Sequence, residues 1–167
     1  FKADLFVPCG GRPESINISN VNELIKDGDK CNYKYIVEGA NLFITRQARL
    51  ELEKHGVILY PDASANKGGV TSSSLEVLVG LSLSDDEYIS NMLFVDGKPT
   101  QFYMDYVRDI QTNIARNAHS EFEAIWREHK DTGKPRSLIS TDMSNALNRL
   151  SLQIENTNLF DQEVLRS

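Results

Sequence analysis

Two asparagines and a run of small and hydroxylated residues are the side chains in this sequence best suited to grip a ligand. Asn41 closes the stretch Glu38-Gly39-Ala40-Asn41, and Asn66 opens Asn66-Lys67-Gly68-Gly69-Val70-Thr71-Ser72-Ser73-Ser74. A carboxamide offers donors and an acceptor together, so each asparagine suits a ribose hydroxyl or an amide such as that of nicotinamide; each suits capping its own loop equally well. In Pro8-Cys9-Gly10-Gly11 the paired glycines either let main chain pass close to a ligand or make a simple tight turn. In the 66–74 run, two glycines lead into a helix whose first-turn N–H groups lack intrahelical partners. One threonine and three serines sit beside them, an arrangement that favours a carboxylate or phosphate. Ordinary capping accounts for one serine, not readily for the set. Lys67 either adds positive charge there or projects into solvent.

Three loops, Pro8-Cys9-Gly10-Gly11, Glu38-Gly39-Ala40-Asn41 and Asp62 to Val70, follow short, continuous apolar runs: Leu5-Phe6-Val7, Tyr35-Ile36-Val37 and Val57-Ile58-Leu59-Tyr60. Continuous rather than alternating runs are expected of strands buried on both faces of a parallel sheet. Parallel strands present their carboxyl ends on one side, so the three loops converge on the crevice where open α/β folds bind ligands. Residues 18–26 carry Ile18, Val21, Leu24 and Ile25 at helical spacing, with Ser19 or Asn20 as cap and Gly28 beyond. A short crossover helix is predicted there, followed by a polar loop over 27–32. A second helix is predicted over 45–55, capped by Thr45 and stopped at Gly56, with Ala48, Leu52 and the stem of Arg49 on one side.

Beyond the third strand the pattern turns helical. Helices are predicted over 70–83, about 102–130 and 140–155, with a polar connection over 85–100 that leaves room for a short helix, and a Gly97-Lys98-Pro99 turn, between the first two. The aromatics of the long helix, Tyr103, Tyr106, Phe122 and Trp126 among them, read as packing rather than a cofactor box. The expected fold is α/β: a partial doubly wound, Rossmann-like parallel sheet followed by a helical carboxyl-terminal segment. Residues 1–83 are assigned to the carboxyl-terminal half of a dinucleotide-binding domain, and 84–167 to a helical segment packing on it.

At 167 residues, with 40% hydrophobic and 25% charged residues, the composition is that of an ordinary globular chain. A net charge of −6 and a pI near 5.1, without clustered Lys and Arg, argue against a nucleic-acid partner. No apolar stretch approaches the roughly 18 residues of a membrane span, and the amino end lacks a signal-peptide pattern. An intracellular place, cytoplasmic or mitochondrial, is expected, with no membrane partner. Cys9 and Cys31 form no CxxC pair, so reduced thiols are expected. His55, His119 and His129 form no ligand cluster, so no metal site is expected. The chain starts at Phe1-Lys2-Ala3-Asp4, without methionine and almost inside a strand, as expected of a piece of something larger.

Tyr35-Ile36-Val37-Glu38-Gly39-Ala40-Asn41 and the stretch from Asp62 to Glu76 resemble the cofactor domain of glutamate dehydrogenases. Leu42-Phe43-Ile44-Thr45 and Lys67 resemble the large, NAD-specific type. The resemblance covers residues 4–83 specifically and weakens afterwards. It implies that Cys9, Gly10, Gly11 and Asn41 lie against the nicotinamide side of NAD, with Asn66 reaching the nicotinamide or its ribose. It implies further that Val70 and Ser73 face the amino acid, Ser73 donating to the side-chain carboxylate of L-glutamate. The implied reaction is oxidative deamination to 2-oxoglutarate and ammonia by an enzyme expected to be a homo-oligomer. The chain has no GxGxxG after a strand and no match for the family's catalytic lysine segment or its proton-transfer aspartate, so alone it is expected to be inactive. A non-catalytic nucleotide or amino-acid binding module would use the same loops. A purely structural role would leave the 66–74 run without a reason.

Overall fold

The computed structural model describes residues 3–26 and 30–158. In chain order the elements are β1 (Leu5–Phe6), β2 (Ile25–Lys26), β3 (Lys30–Cys31), β4 (Tyr35–Val37), α1 (Arg46–Lys54), β5 (Ile58–Tyr60), α2 (Asp62–Ala65), α3 (Gly68–Ser82), α4 (Asp85–Met92), α5 (Gln101–Thr132) and α6 (Arg136–Glu155). Strands β1, β4 and β5 form a parallel sheet in that order, while β2 and β3 make a separate antiparallel pair.

Register decides which residues share a face. Phe6, Ile36 and Leu59 align across the three strands, as do Leu5, Tyr35 and Ile58 on the opposite face. The first set is sealed beneath α1 through Ala48 and Leu52, together with Ile16, Val21 and Ile44. Thr45 starts α1 by accepting from the Ala48 N–H, and Gly56 takes φ 81° just past its end, where a side chain would be strained. On the other face, Ile58 and Tyr60 pack against Ile125 of α5 and Ile139 and Met143 of α6. Helices therefore lie on both faces of the parallel sheet, the layering expected of an α/β fold.

Three expectations need correction. Residues 18–26 do not form a crossover helix, because the Asn side chains offer the backbone an alternative. Asn20 Oδ1 accepts from the Asn17 N–H, Asn17 Oδ1 accepts from the Ser19 N–H, and Asn20 Nδ2 donates to the Ser15 carbonyl. Only a 3-10 turn at Val21–Glu23 results, followed by the β2–β3 pair, which includes Lys30 and Cys31 of the predicted polar loop; residues 27–29 of that loop lie outside the described residues. Burial on both faces holds at β5 but not at β1, where Leu5 and Val7 are exposed along with Tyr35, since α5 and α6 cover only the β5 side. Finally, α6 begins at Arg136, four residues before the predicted start. Glu53 of α1 reaches across to cap it, accepting from the N–H groups of Arg136 (2.6 Å) and Ser137 (3.3 Å) and from the Ser137 hydroxyl.

The remaining helices follow the sequence closely. The Val95–Lys98 turn carries Asp96 and Gly97 at positive φ, the pattern of a type I′ turn. The α5 aromatics stack as packing groups: Tyr60 on Phe122 at 5.0 Å, Phe122 on Trp126 at 5.9 Å, with the Arg136 guanidinium over Trp126. No helix among the described residues is long and apolar enough to cross a membrane.

Two substitutions separate the packing contributions in urea unfolding. Leu52 is fully buried, so Leu52→Ala is expected to cost about 2–5 kcal/mol. Among the described residues the Tyr60 hydroxyl is buried without a hydrogen-bond partner, and burial pushes the phenol up to about 12. Tyr60→Phe is therefore expected to raise stability by about 1 kcal/mol; a loss would show that the hydroxyl is satisfied.

Candidate functional site at the carboxyl ends of the strands

The loop after β1 touches the loop after β4, and that loop touches the one after β5. Ala40 N–H donates to the Pro8 carbonyl at 2.7 Å. A Cβ on Gly39 would sit 3.1 Å from the Pro8 carbonyl oxygen and 3.2 Å from Cys9 Sγ, so glycine is what permits this approach. Asn66 Nδ2 donates to Asn41 Oδ1 and lies 3.5 Å from the Gly39 carbonyl. Cys9, Gly10, Gly11, Asn41 and Asn66 are thus brought to one end of the sheet.

The two glycines of the first loop differ in what they do. Gly11 has φ 122° and a Cβ there would strike the Phe43 ring at 2.7 Å, so the fold itself requires glycine. At Gly10 a Cβ would meet no atom of the described residues within 4 Å. The main chain there is open on the side that faces outward. Cys9 is an exposed free thiol.

The 66–74 run also departs from expectation. Thr71, Ser72 and Ser73 each donate a hydroxyl proton to a carbonyl one turn back, of Lys67, Gly69 and Val70 respectively, at 2.9–3.1 Å. Back-bonding within the helix therefore accounts for three of the hydroxyls that capping left unexplained. Lys67 does not project freely into solvent; its ammonium pairs with Glu121 of α5 at 2.5 Å. Val70 and Ser73, one turn apart on α3, are both exposed. Val70 lines an open groove with Asn66, Ser74, Asn113 and Asn117.

Sequence reasoning missed the group that shapes the site. Glu38, fully buried at the end of β4, receives a two-pronged bond from Arg49 of α1 at 2.6 and 2.9 Å. The same guanidinium donates to Asp62 Oδ1 at 2.8 Å, at the end of β5. Main-chain donors complete the cluster: Leu42 N–H to Asp62 Oδ2 at 2.7 Å, Ile44 N–H to Glu38 Oε2 at 3.4 Å, and Ala63 N–H to Asp62 Oδ1 at 2.8 Å. Leu42 is held at φ 56°, a conformation a branched side chain adopts only under constraint. Two anions share one cation. Burial accordingly pushes the Glu38 carboxyl above the usual carboxylate range, with Arg49 opposing it, while for Arg49 burial is outweighed by its two carboxylates, which hold it above its ordinary value. The available signal was positional: charged residues directly at the ends of two buried strands, and an arginine on the inward side of a helix.

Parallel strands with helices on both faces and Gly- and Asn-bearing loops meeting at their carboxyl ends define an α/β chain with a crevice of the kind in which open sheets bind ligands. The chain belongs to the Glutamate/Leucine/Phenylalanine/Valine dehydrogenase family, whose model matches residues 1–133. It is 56% identical over 164 residues to an NAD-specific glutamate dehydrogenase of Neurospora crassa, a match covering 98% of this chain and 16% of the relative. It is 54% identical over 156 residues to a probable NAD-specific glutamate dehydrogenase of Schizosaccharomyces pombe, covering 93% of this chain and 14% of the relative. Glutamate dehydrogenase 2 of Dictyostelium discoideum is 48% identical over 164 residues, covering 98% of this chain and 16% of the relative. The similarity thus runs well past residue 83, where the sequence motifs fade. The chain spans about a sixth of the length of these relatives.

Removing the cation tests the electrostatics of the cluster. Arg49→Met is expected to cost about 3–5 kcal/mol near neutral pH, because two buried carboxylates lose their counter-ion. Without Arg49, Glu38 is raised further, so the folded state binds more protons than the unfolded one above the ordinary carboxylate range. Stability of the variant must then increase as pH falls from 8 to 5. Denaturant midpoints across that range check the sign, and a pH-independent loss contradicts it.

Proposed function

We propose that this chain is the carboxyl-terminal part of the cofactor domain of a longer NAD-dependent enzyme that oxidatively deaminates L-glutamate to 2-oxoglutarate and ammonia. The observation that carries it is the meeting of the three loops, through Ala40–Pro8 and Asn66–Asn41, at the carboxyl end of a parallel sheet. The relatives named NAD-specific glutamate dehydrogenases support the choice of cofactor and substrate.

The residues present suit the nicotinamide half of the dinucleotide. Open space over Gly10 leaves room for a ring against main chain, and Asn41 and Asn66 offer carboxamide donors and acceptors beside it. Cys9, Gly10, Gly11 and Asn41 would hold the nicotinamide, and Asn66 the nicotinamide or its ribose. NAD, when bound, supplies the acceptor for the hydride that leaves Cα of glutamate; the resulting imine is then hydrolysed. Val70 would give the amino acid an apolar contact. Ser73 would donate to its side-chain carboxylate, after χ1 rotation turns the proton away from the Val70 carbonyl it now reaches. Residues 1–83 would be the dinucleotide-binding part and 84–167 the helical segment packed on it, in an enzyme that assembles as a homo-oligomer.

Two outcomes follow. The isolated chain, lacking a glycine-rich pyrophosphate turn and a catalytic lysine, is expected to give no steady NADH production from glutamate. In the longer enzyme, Ser73→Ala is expected to lower kcat/KM for glutamate roughly 10- to 150-fold, the loss of a hydrogen bond to a charged group, with NAD affinity unchanged. Unaltered kcat/KM would remove Ser73 from the substrate site.

A further inference from the structure

We infer that Asp62, clamped by Arg49, is a positioning residue that sets the Asn41–Asn66 pair for the dinucleotide; this rests on those asparagines contacting the cofactor. Asp62 is connected to both. Its carboxylate takes the N–H of Leu42, the residue directly after Asn41, and that bond holds Leu42 at φ 56°. Its carbonyl takes the N–H of Asn66, which ends the single turn of α2. The two carboxamides then meet through Asn66 Nδ2 and Asn41 Oδ1.

A turn of four residues has little stability of its own, and a left-handed leucine is strained, so neither feature sets its geometry unaided. Arg49 removes the remaining freedom. Its Nη2 donates to Asp62 while its Nε and Nη2 engage Glu38, a carboxylate rooted at the end of β4, three residues before Asn41. The ends of β4 and β5 are thereby referenced to one rigid, planar cation on α1. None of Glu38, Arg49 or Asp62 needs to touch the ligand. Their effect reaches it through the main chain of residues 41 and 42.

The test is a double-substitution cycle in the full-length dehydrogenase carrying this segment, read as NADH affinity by fluorescence, with near-UV circular dichroism confirming the fold. Asp62→Asn keeps the shape and removes the charge. It is expected to weaken NADH about tenfold in the otherwise unaltered enzyme, and by less than about threefold when Asn41→Ala is already present, because its effect passes through Asn41. An equal factor in both backgrounds overturns the inference, since a general loss of stability would act independently of Asn41. If Asn41→Ala alone leaves NADH affinity unchanged, the cofactor contact itself falls and this inference with it. Should Asp62→Asn fail to fold, Arg49→Lys, which keeps the charge but loses the fork, is read in the same cycle. It is expected to weaken NADH at least threefold only while Asn41 is present, and an effect independent of Asn41 again overturns the inference.

Discussion

One guanidinium, held between two carboxylates at the ends of two adjacent strands, is the constraint on which the loop geometry depends. Arg49 is fixed by α1, α1 by the apolar seal over Ile36 and Leu59, Glu38 by its place directly after β4, and Asp62 by its place at the start of α2 just beyond β5. Ion clusters of this kind are a weak source of net stability, because desolvation offsets much of the attraction. What the cluster supplies is position. Three main-chain N–H groups that a loop would otherwise leave to water are bound to its oxygens, and a leucine is kept in a conformation it would abandon in a flexible chain.

The helical half is tied to the sheet by polar contacts as well as by packing. Glu53 of α1 caps α6, Ser64 of α2 bonds Ser140 of α6 at 2.6 Å, and Lys67 pairs with Glu121 of α5. Each joins groups more than fifty positions apart in sequence. Together with the Tyr60, Ile125 and Ile139 contact, they put α5 and α6 directly behind the loop that carries Asn66. The segment beyond residue 83 is therefore part of the site's support, consistent with a family match that continues to residue 133.

The parts legible in sequence were those governed by local rules. Strand runs ending in Gly and Asn, the Thr45 and Gly56 boundaries of α1, a turn at Asp96-Gly97, one residue earlier than the predicted Gly97-Lys98-Pro99, and the long amphipathic α5 all follow from residues within a few positions of one another. What escaped depended on distant partners. The α6 start is defined by a carboxylate 83 positions away, and Lys67 finds its partner 54 positions on. The missing crossover helix was local in origin: two asparagines compete for the backbone, and helical spacing of apolar residues does not register that competition. The Glu38, Arg49 and Asp62 cluster was hidden because charge at a strand end reads as solvent-facing until the helix that neutralises it is placed.

The central claim is that the three loops form the nicotinamide half of an NAD site. A structure of the longer enzyme with NAD bound tests it most directly. The nicotinamide is predicted to lie over Gly10, with its carboxamide or ribose within hydrogen-bond distance of Asn41 and Asn66. A dinucleotide bound with its nicotinamide away from these three residues would contradict the account.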